Sequence, residues 1–176
     1  MTVIVRRAGP DDAIELEALA AITFPLAAPD DAAPAGIAEF LRTTLSSARF
    51  AEYVVDATRV VLVAEQDAEL VGYAMLVSGD PSDPDVAAAV RGRPTIDLNK
   101  FYVHPDRHGS GIAATLMDAA VDAARAARAS SVWLGVNNEN GRAARFYEKQ
   151  GFVPVGTKRF LLGDRYEDDF VLERPL

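Results

Sequence analysis

The run Val103-His104-Pro105-Asp106-Arg107-His108-Gly109-Ser110-Gly111-Ile112-Ala113 constrains this chain more than any other. A β-rich segment, Ile96–Val103, leads into it. A helical segment leads out, with Ile112, Leu116, Ala120 and Ala124 on one stripe. Gly109 and Gly111 open backbone angles closed to other residues and leave room for a ligand. The amides at the start of the helix, reinforced by its macrodipole, then form a cradle suited to a pyrophosphate. The run is not a P-loop, because no Gly-Lys-Ser/Thr follows, and it lacks the full Gly-x-Gly-x-x-Gly dinucleotide fingerprint. On its own, Gly-x-Gly is equally compatible with a plain tight turn.

The rest of the chain reads as alternating elements. Val3 to Arg7 is a short strand, and Pro10-Asp11-Asp12 opens a helix through Ile14, Leu16, Leu19 and Ala20. Pro25–Pro34 reads as a loop. Helical spacing returns from Gly36 and ends by Val55, with Ser46-Ser47 interrupting it. Val60–Glu65 and Leu70–Val77 are strands joined by a hairpin-length connection. Gly79–Arg93 reads as a long loop with one helical turn. After the glycine turn the helix runs from Ile112 to Ala129, then come a strand at Val132–Val136 and a helix at Gly141–Gln150. A final hairpin pairs Phe152–Val155 with Asp169–Leu172. This order, in 176 residues, describes one α/β domain with a mixed sheet.

Composition narrows the chemistry. With no cysteine and only His104 and His108, thiolate nucleophiles, disulfides and multi-histidine or Cys-based metal sites are excluded. The opening residues lack the apolar stretch of a signal peptide, and no run approaches membrane-spanning length. The expected location is the cytoplasm, with no membrane partner. A net charge of −8 argues against a nucleic-acid partner. The charge is uneven: residues 1–97 hold 7 basic and 16 acidic side chains, residues 98–163 hold 9 and 5, and residues 164–176 hold 2 and 5. The electropositive stretch contains the glycine turn and could receive an anion.

Two further segments give the turn a context. Leu98-Asn99-Lys100-Phe101-Tyr102-Val103-His104-Pro105 leads in, and Asn140-Gly141-Arg142-Ala143-Ala144-Arg145-Phe146-Tyr147-Glu148-Lys149-Gln150-Gly151-Phe152 follows downstream. Together they resemble the GNAT acetyltransferase family. The family's Arg/Gln-x-x-Gly-x-Gly/Ala motif falls on His108, Gly109, Ser110, Gly111, Ile112 and Ala113, with His108 departing from the usual Arg or Gln. The Asn-x-x-Ala-x-x-Phe-Tyr-x-x-x-Gly-Phe pattern matches at every specified position. A narrower likeness, to bacterial spermidine/spermine N-acetyltransferases of the PaiA type, rests on Trp133-Leu134-Gly135-Val136, Gly156, and Phe160 through Gly163-Asp164 with Asp169. Asp168-Asp169 replaces that subgroup's Thr-Asp, and Asn137-Asn138 its Trp-Glu.

The resemblance implies a single α/β (α+β) domain over residues 1–176, with a mostly antiparallel central sheet flanked by helices. It assigns substrate-side helices to 11–55, an acetyl-CoA core to 96–152 and a C-terminal hairpin to 152–174. It implies direct transfer from acetyl-CoA, the acetyl donor, to a primary amine, with no metal, and it allows a homodimer. Phe101, Tyr102, Val103, His108, Gly109, Ser110, Gly111, Ile112, Ala113, Asn140 and Arg145 are its cofactor-binding candidates.

Two residues are its catalytic candidates. Asp97 would take the amine's proton, directly or through water; otherwise it ends its strand or pairs with Lys100. Tyr147 would assist the departing thiolate, or else simply pack beside Phe146. Asn140 suits an N-cap as well as a cofactor contact. The resemblance points to a polyamine or other small cationic amine, drawn by Glu39, Glu52, Asp56 and Asp164–Asp169 unless these are solvated surface groups. The alternatives are a protein lysine or N-terminal amine, and a non-catalytic acyl-CoA sensor.

Overall fold

The computed structural model describes residues 2–176, and one seven-stranded sheet organises them. The strands are β1 (Val3–Arg7), β2 (Arg59–Gln66), β3 (Glu69–Ser78), β4 (Thr95–Val103), β5 (Ser131–Asn137), β6 (Val153–Leu162) and β7 (Arg165–Pro175). Their order is β1-β2-β3-β4-β5-β7-β6, and every neighbouring pair is antiparallel except β4 with β5. The helices are α1 (Ala13–Ala27), α2 (Pro34–Thr44), α3 (Ser47–Val55), α4 (Pro84–Ala89), α5 (Ile112–Ala126) and α6 (Gly141–Lys149). Among the described residues, no helix is long and apolar enough to cross a membrane.

Two apolar layers sandwich the sheet. On one face Ile112, Leu116, Met117 and Ala120 of α5 pack on Ala74, Leu76, Ile96 and Leu98, joined by Tyr147 and Phe152. On the other, Leu16, Leu19, Phe24, Phe50 and Tyr53 of α1 and α3 cover Val61, Val63, Tyr73 and Met75. A smaller group, Val86, Val90, Trp133 and Val171, seats α4.

Three elements differ from the sequence reading. α1 runs through Pro25 to Ala27 instead of stopping at the proline. The proline removes one helical hydrogen bond, but Phe24 is buried and stacks on Phe40 of α2 at 4.4 Å, and Ala28 N closes the last turn on Phe24 O. The expected single helix from Gly36 is two, because Ser46 Oγ accepts from Arg49 N at 3.3 Å and caps α3 afresh. The final hairpin is far longer than expected. Its tip turns at Gly163 (φ 66°), where α2 crosses so closely that a Cβ on Gly36 would lie 3.3 Å from Gly163 Cα. Phe160, just before that tip, meets Phe40 edge-on at 5.4 Å.

β4 contains a bulge. Met75 faces Lys100 and Leu76 faces Leu98, leaving Asn99 without a partner. The extra residue flips the alternation: Ile96, Leu98, Phe101 and Val103 all pack in the α5 layer, and Tyr102 in the opposite one.

Candidate active site

β4 and β5 are parallel partners at only three positions, Thr95–Asp97 with Ser131–Trp133. Beyond them β4 stays on β3 as far as Val103, while β5 stays on β7 as far as Asn137. The two strands therefore part. Their facing edges open a cleft of about 850 Å³ that passes from one face of the sheet to the other.

One mouth lies at the glycine turn. Gly109 (φ 81°) and Gly111 (φ 85°) sit in the left-handed region, with nothing within 4 Å of where a side chain would begin. The first amide after Gly111 to close a turn of α5 is that of Thr115, onto Gly111 O at 3.1 Å. The preceding amides have no intrahelical acceptor, and a glycine N-cap supplies none. Arg107 precedes the turn by two residues, and both it and Arg142 line the cleft. These features fit an anionic phosphate group. His108, the departure from the family motif, donates from Nε2 to Val103 O at 2.9 Å and so ties the turn to the end of β4.

Within the cleft, Tyr147 comes from α6 and is 8% exposed. It sits among Phe101, Phe146 and Phe152 at ring distances of 5.6–6.1 Å. Burial pushes its phenol well above the ordinary tyrosine range. Asn140 is the α6 N-cap, its Oδ1 accepting from Ala143 N at 3.2 Å, and it also lines the cleft. Tyr102 lines the cleft from the other face of β4, stacked on Tyr73. Its phenol is pushed up to about 12, chiefly by burial with the Asp169 charge adding to it.

Asp97 occupies the last paired position before the strands part, directly across from Trp133. Asn99 Nδ2 donates to its Oδ2 at 3.0 Å, and Lys100 Nζ donates to Asn99 Oδ1 at 3.0 Å. Burial raises the Asp97 carboxyl to about 6 against the pull of Asn99, Lys158, Lys100 and Arg59. A second cavity, about 250 Å³, reaches Asp97, Trp133 and Lys158 from the Ser78–Asp83 loop.

Of the residues singled out in the sequence, Asp97, Phe101, Tyr102, Val103, His108, Gly109, Gly111, Ala113, Asn140 and Tyr147 line this one cleft. Ser110 and Arg145 are exposed beside it, and Ile112 is buried under α5. Arg142, one turn of α6 earlier, lines the cleft where Arg145 does not. One wall of the cleft was missed: Phe24, Phe40 and Phe160, with Lys158 reaching in from β6. Lysine scarcity was the available signal, since the chain has three lysines and two of them, Lys100 and Lys158, line the cleft.

Comparison with known proteins agrees with this architecture. The model of the acetyltransferase (GNAT) family matches residues 20–152. An uncharacterized N-acetyltransferase of Mycobacterium tuberculosis and one of Mycobacterium bovis are each 48% identical over 165 residues, 94% of this chain and 98% of theirs. The crystal structure of a PaiA N-acetyltransferase from Thermoplasma acidophilum in complex with coenzyme A superposes with a TM-score of 0.79 at 19% identity, covering all of both chains. The chain belongs to the GNAT family of acetyltransferases.

Proposed function

We propose that residues 1–176 act as one N-acetyltransferase domain that passes acetyl from acetyl-CoA directly to the primary amine of a small molecule, with Asp97 as the base. On this reading the glycine-turn mouth receives the pyrophosphate of the donor. Its pantetheine lies along the parted edges of β4 and β5, and the acceptor enters between α1, α2 and the β6–β7 hairpin. The coenzyme A in the Thermoplasma relative supports the donor assignment.

An aliphatic ammonium with a pKa near 10.4 is neutral in roughly one molecule in a few thousand at pH 7. Asp97, with its carboxyl near 6, is ionised there and able to take the proton. One proton of the ammonium leaves through Asp97, the amine nitrogen bonds to the acetyl carbon, and the C–S bond breaks as a second nitrogen proton passes to the sulfur. Amide, thiol and one released proton balance the reaction. Tyr147 stabilises the departing sulfur by donating a hydrogen bond. Full proton transfer would already be uphill by about 2 kcal/mol for an ordinary phenol and thiol, and burial of Tyr147 widens that gap.

The PaiA-type likeness names a polyamine as acceptor. Several of the carboxylates expected to draw one in carry partners of their own: Glu52 binds Arg49 at 2.7 Å, Asp56 binds Arg59 at 3.2 Å and Glu167 binds Arg165 at 2.6 Å. The observation that carries the reading is the Asp97 carboxyl at the point where the strands part. Thiol release from acetyl-CoA over an amine panel tests it. Turnover that Asp97→Asn abolishes supports it, and donor binding without turnover of any amine favours the sensor.

A further inference from the structure

The acceptor end of the cleft holds two of the three lysines of an acidic protein. Lys100 is 6% exposed, and its ammonium finds a single hydrogen-bond acceptor in the protein, Asn99 Oδ1. No carboxylate oxygen of the described residues lies within 4.0 Å of it. It sits 5.7 Å above the Tyr53 ring, with Arg59 4.9 Å and Arg49 5.4 Å from the same ring centroid. Both arginines already hold carboxylates of their own.

Lys158 approaches from the other side. It starts on β6, crosses β7 beside Asp169 and reaches β5 over Gly135, where a Cβ would press on Lys158 Cε. Any side chain at 135 would make the end of Lys158 shift. Its Nζ is 3.6 Å from Asp169 Oδ2, beyond direct hydrogen-bond reach. Of the three carboxylates lining the cleft, Glu167 is spent on Arg165 and Asp169 faces Lys158, so Asp97 alone has no ion pair.

This balance decides what fits. One ammonium is accommodated, because Asp97 receives its proton. A second ammonium would meet Lys100, which has no carboxylate within 4.0 Å, or Lys158, whose Asp169 is already engaged, and like charges in a desolvated site reject a partner strongly. A buried ammonium short of acceptors is costly until an anion reaches it. We propose that the acceptor amine also carries an anionic oxygen group, a carboxylate or a phosphate, which Lys100 and Lys158 hold while the amine faces Asp97. The proposal rests on the acetyl-transfer reading above and narrows its substrate class.

The test measures kcat/KM with acetyl-CoA for ω- and α-amino acids, for O-phosphoethanolamine, for alkylamines of matching length that lack the acid group, and for putrescine and spermidine. The expected result is at least a tenfold preference for an amine bearing an anionic group over its counterpart without one, with the polyamines lowest; the acid and phosphate arms identify which anion is used. Lys100→Gln cuts that preference at least fivefold. Gly135→Ala, which displaces Lys158 while keeping every charge, also cuts it. A polyamine as best substrate, or a preference unmoved in both variants, overturns the proposal. Calorimetry with N-acetylated acid or phosphate products on the CoA-loaded protein gives an arm independent of turnover. Binding that Lys100→Gln weakens at least fivefold supports the proposal, and no binding overturns it. Product binding in a protein that releases no thiol with any amine overturns the acetyl-transfer reading, and the substrate proposal with it, whereas turnover without the anionic preference overturns this proposal alone.

Discussion

The two ends of the β4–β5 pair lie only a few residues apart and treat buried polar groups in opposite ways. Where the strands meet, Glu173 is 5% exposed yet accepts from Arg91 N, Gly92 N and Ser131 Oγ at 2.7–3.2 Å. Thr95 Oγ1 closes the network on Ser131 at 2.9 Å. Burial pushes the Glu173 carboxyl up, but these bonds outweigh it and hold it below the ordinary range. Where the strands part, Asp97 is raised to about 6, Lys100 is lowered to about 8 chiefly by burial, and Trp133 Nε1 is buried with no acceptor. One end is satisfied and stabilises the sheet. The other keeps charges short of partners, a cost that a reacting substrate can offset.

Asp97→Asn gives the largest expected effect, and it moves activity and stability in opposite directions. Loss of a general base lowers kcat about 10²–10⁴-fold. The wild-type kcat/KM should rise with pH through an acidic limb near 6 as Asp97 ionises, and the variant should lose that limb. A carboxyl whose folded pKa is raised contributes stability below the unfolded value, near 3.9, that is lost as pH rises through the folded value. The variant should therefore be more stable above pH 6, on the order of 1–3 kcal/mol, and match wild type below about pH 4. A wild-type pH–rate profile flat across pH 5–7 would remove Asp97 from the mechanism.

Glu173→Gln is the mirror experiment. It turns an amide NH₂ toward donors that need an acceptor, costing about 2–3 kcal/mol, or about 5–10 °C in Tm for a domain of this size. The sign with pH reverses. A depressed carboxyl stabilises above its unfolded pKa and loses that contribution as pH falls through the folded value. The gap between wild type and variant should thus close in acid, read by thermal unfolding between pH 3 and 7. Turnover per folded molecule should stay near wild type, since Glu173 lies outside the cleft.

Tyr147→Phe should lower kcat about tenfold, roughly 1.4 kcal/mol, with KM for the donor little changed. A hydrogen bond formed to developing charge on sulfur acts in the transition state and not on binding. Full kcat in the variant would reduce Tyr147 to an aromatic packed among Phe101, Phe146 and Phe152.

The two ends were not equally legible in the sequence. At the open end the glycine turn, Asn140 and Tyr147 lie in local patterns with fixed spacing, so this wall of the cleft could be read residue by residue. The acceptor wall depends on non-local geometry. Lys100 joins Asp97 on one face only because Asn99 is an extra residue in β4; strict alternation would separate them. Lys158 crosses to the cleft over Gly135, two strands away, where a Cβ would crowd its end. β6 is a mostly exposed edge strand with little apolar alternation, so the hairpin read too short. The closed end left no local signal either: Glu173 and Gly92 meet across 81 residues of chain.

Gly111→Ala leaves the reacting groups untouched and separates backbone strain from lost contact at the glycine-turn mouth. The site is open, with nothing within 4 Å of the new Cβ, so no clash contributes. Only the left-handed angle, φ 85°, penalises alanine, by about 1–2 kcal/mol. If the turn holds its shape, the whole cost appears as a Tm lower by about 2–6 °C, and coenzyme A binds with unchanged Kd. If the turn relaxes instead, the free amides between Gly111 and Ala114 lose their common direction. Stability is then nearly retained, and the same free energy appears as a Kd weaker by about 5–30-fold. The sum of the two losses should stay near the strain cost in either case. A Kd loss much beyond that sum would mean the amides contribute more to phosphate binding than their geometry suggests. No loss in either measurement would show that Gly111 is dispensable to the cradle.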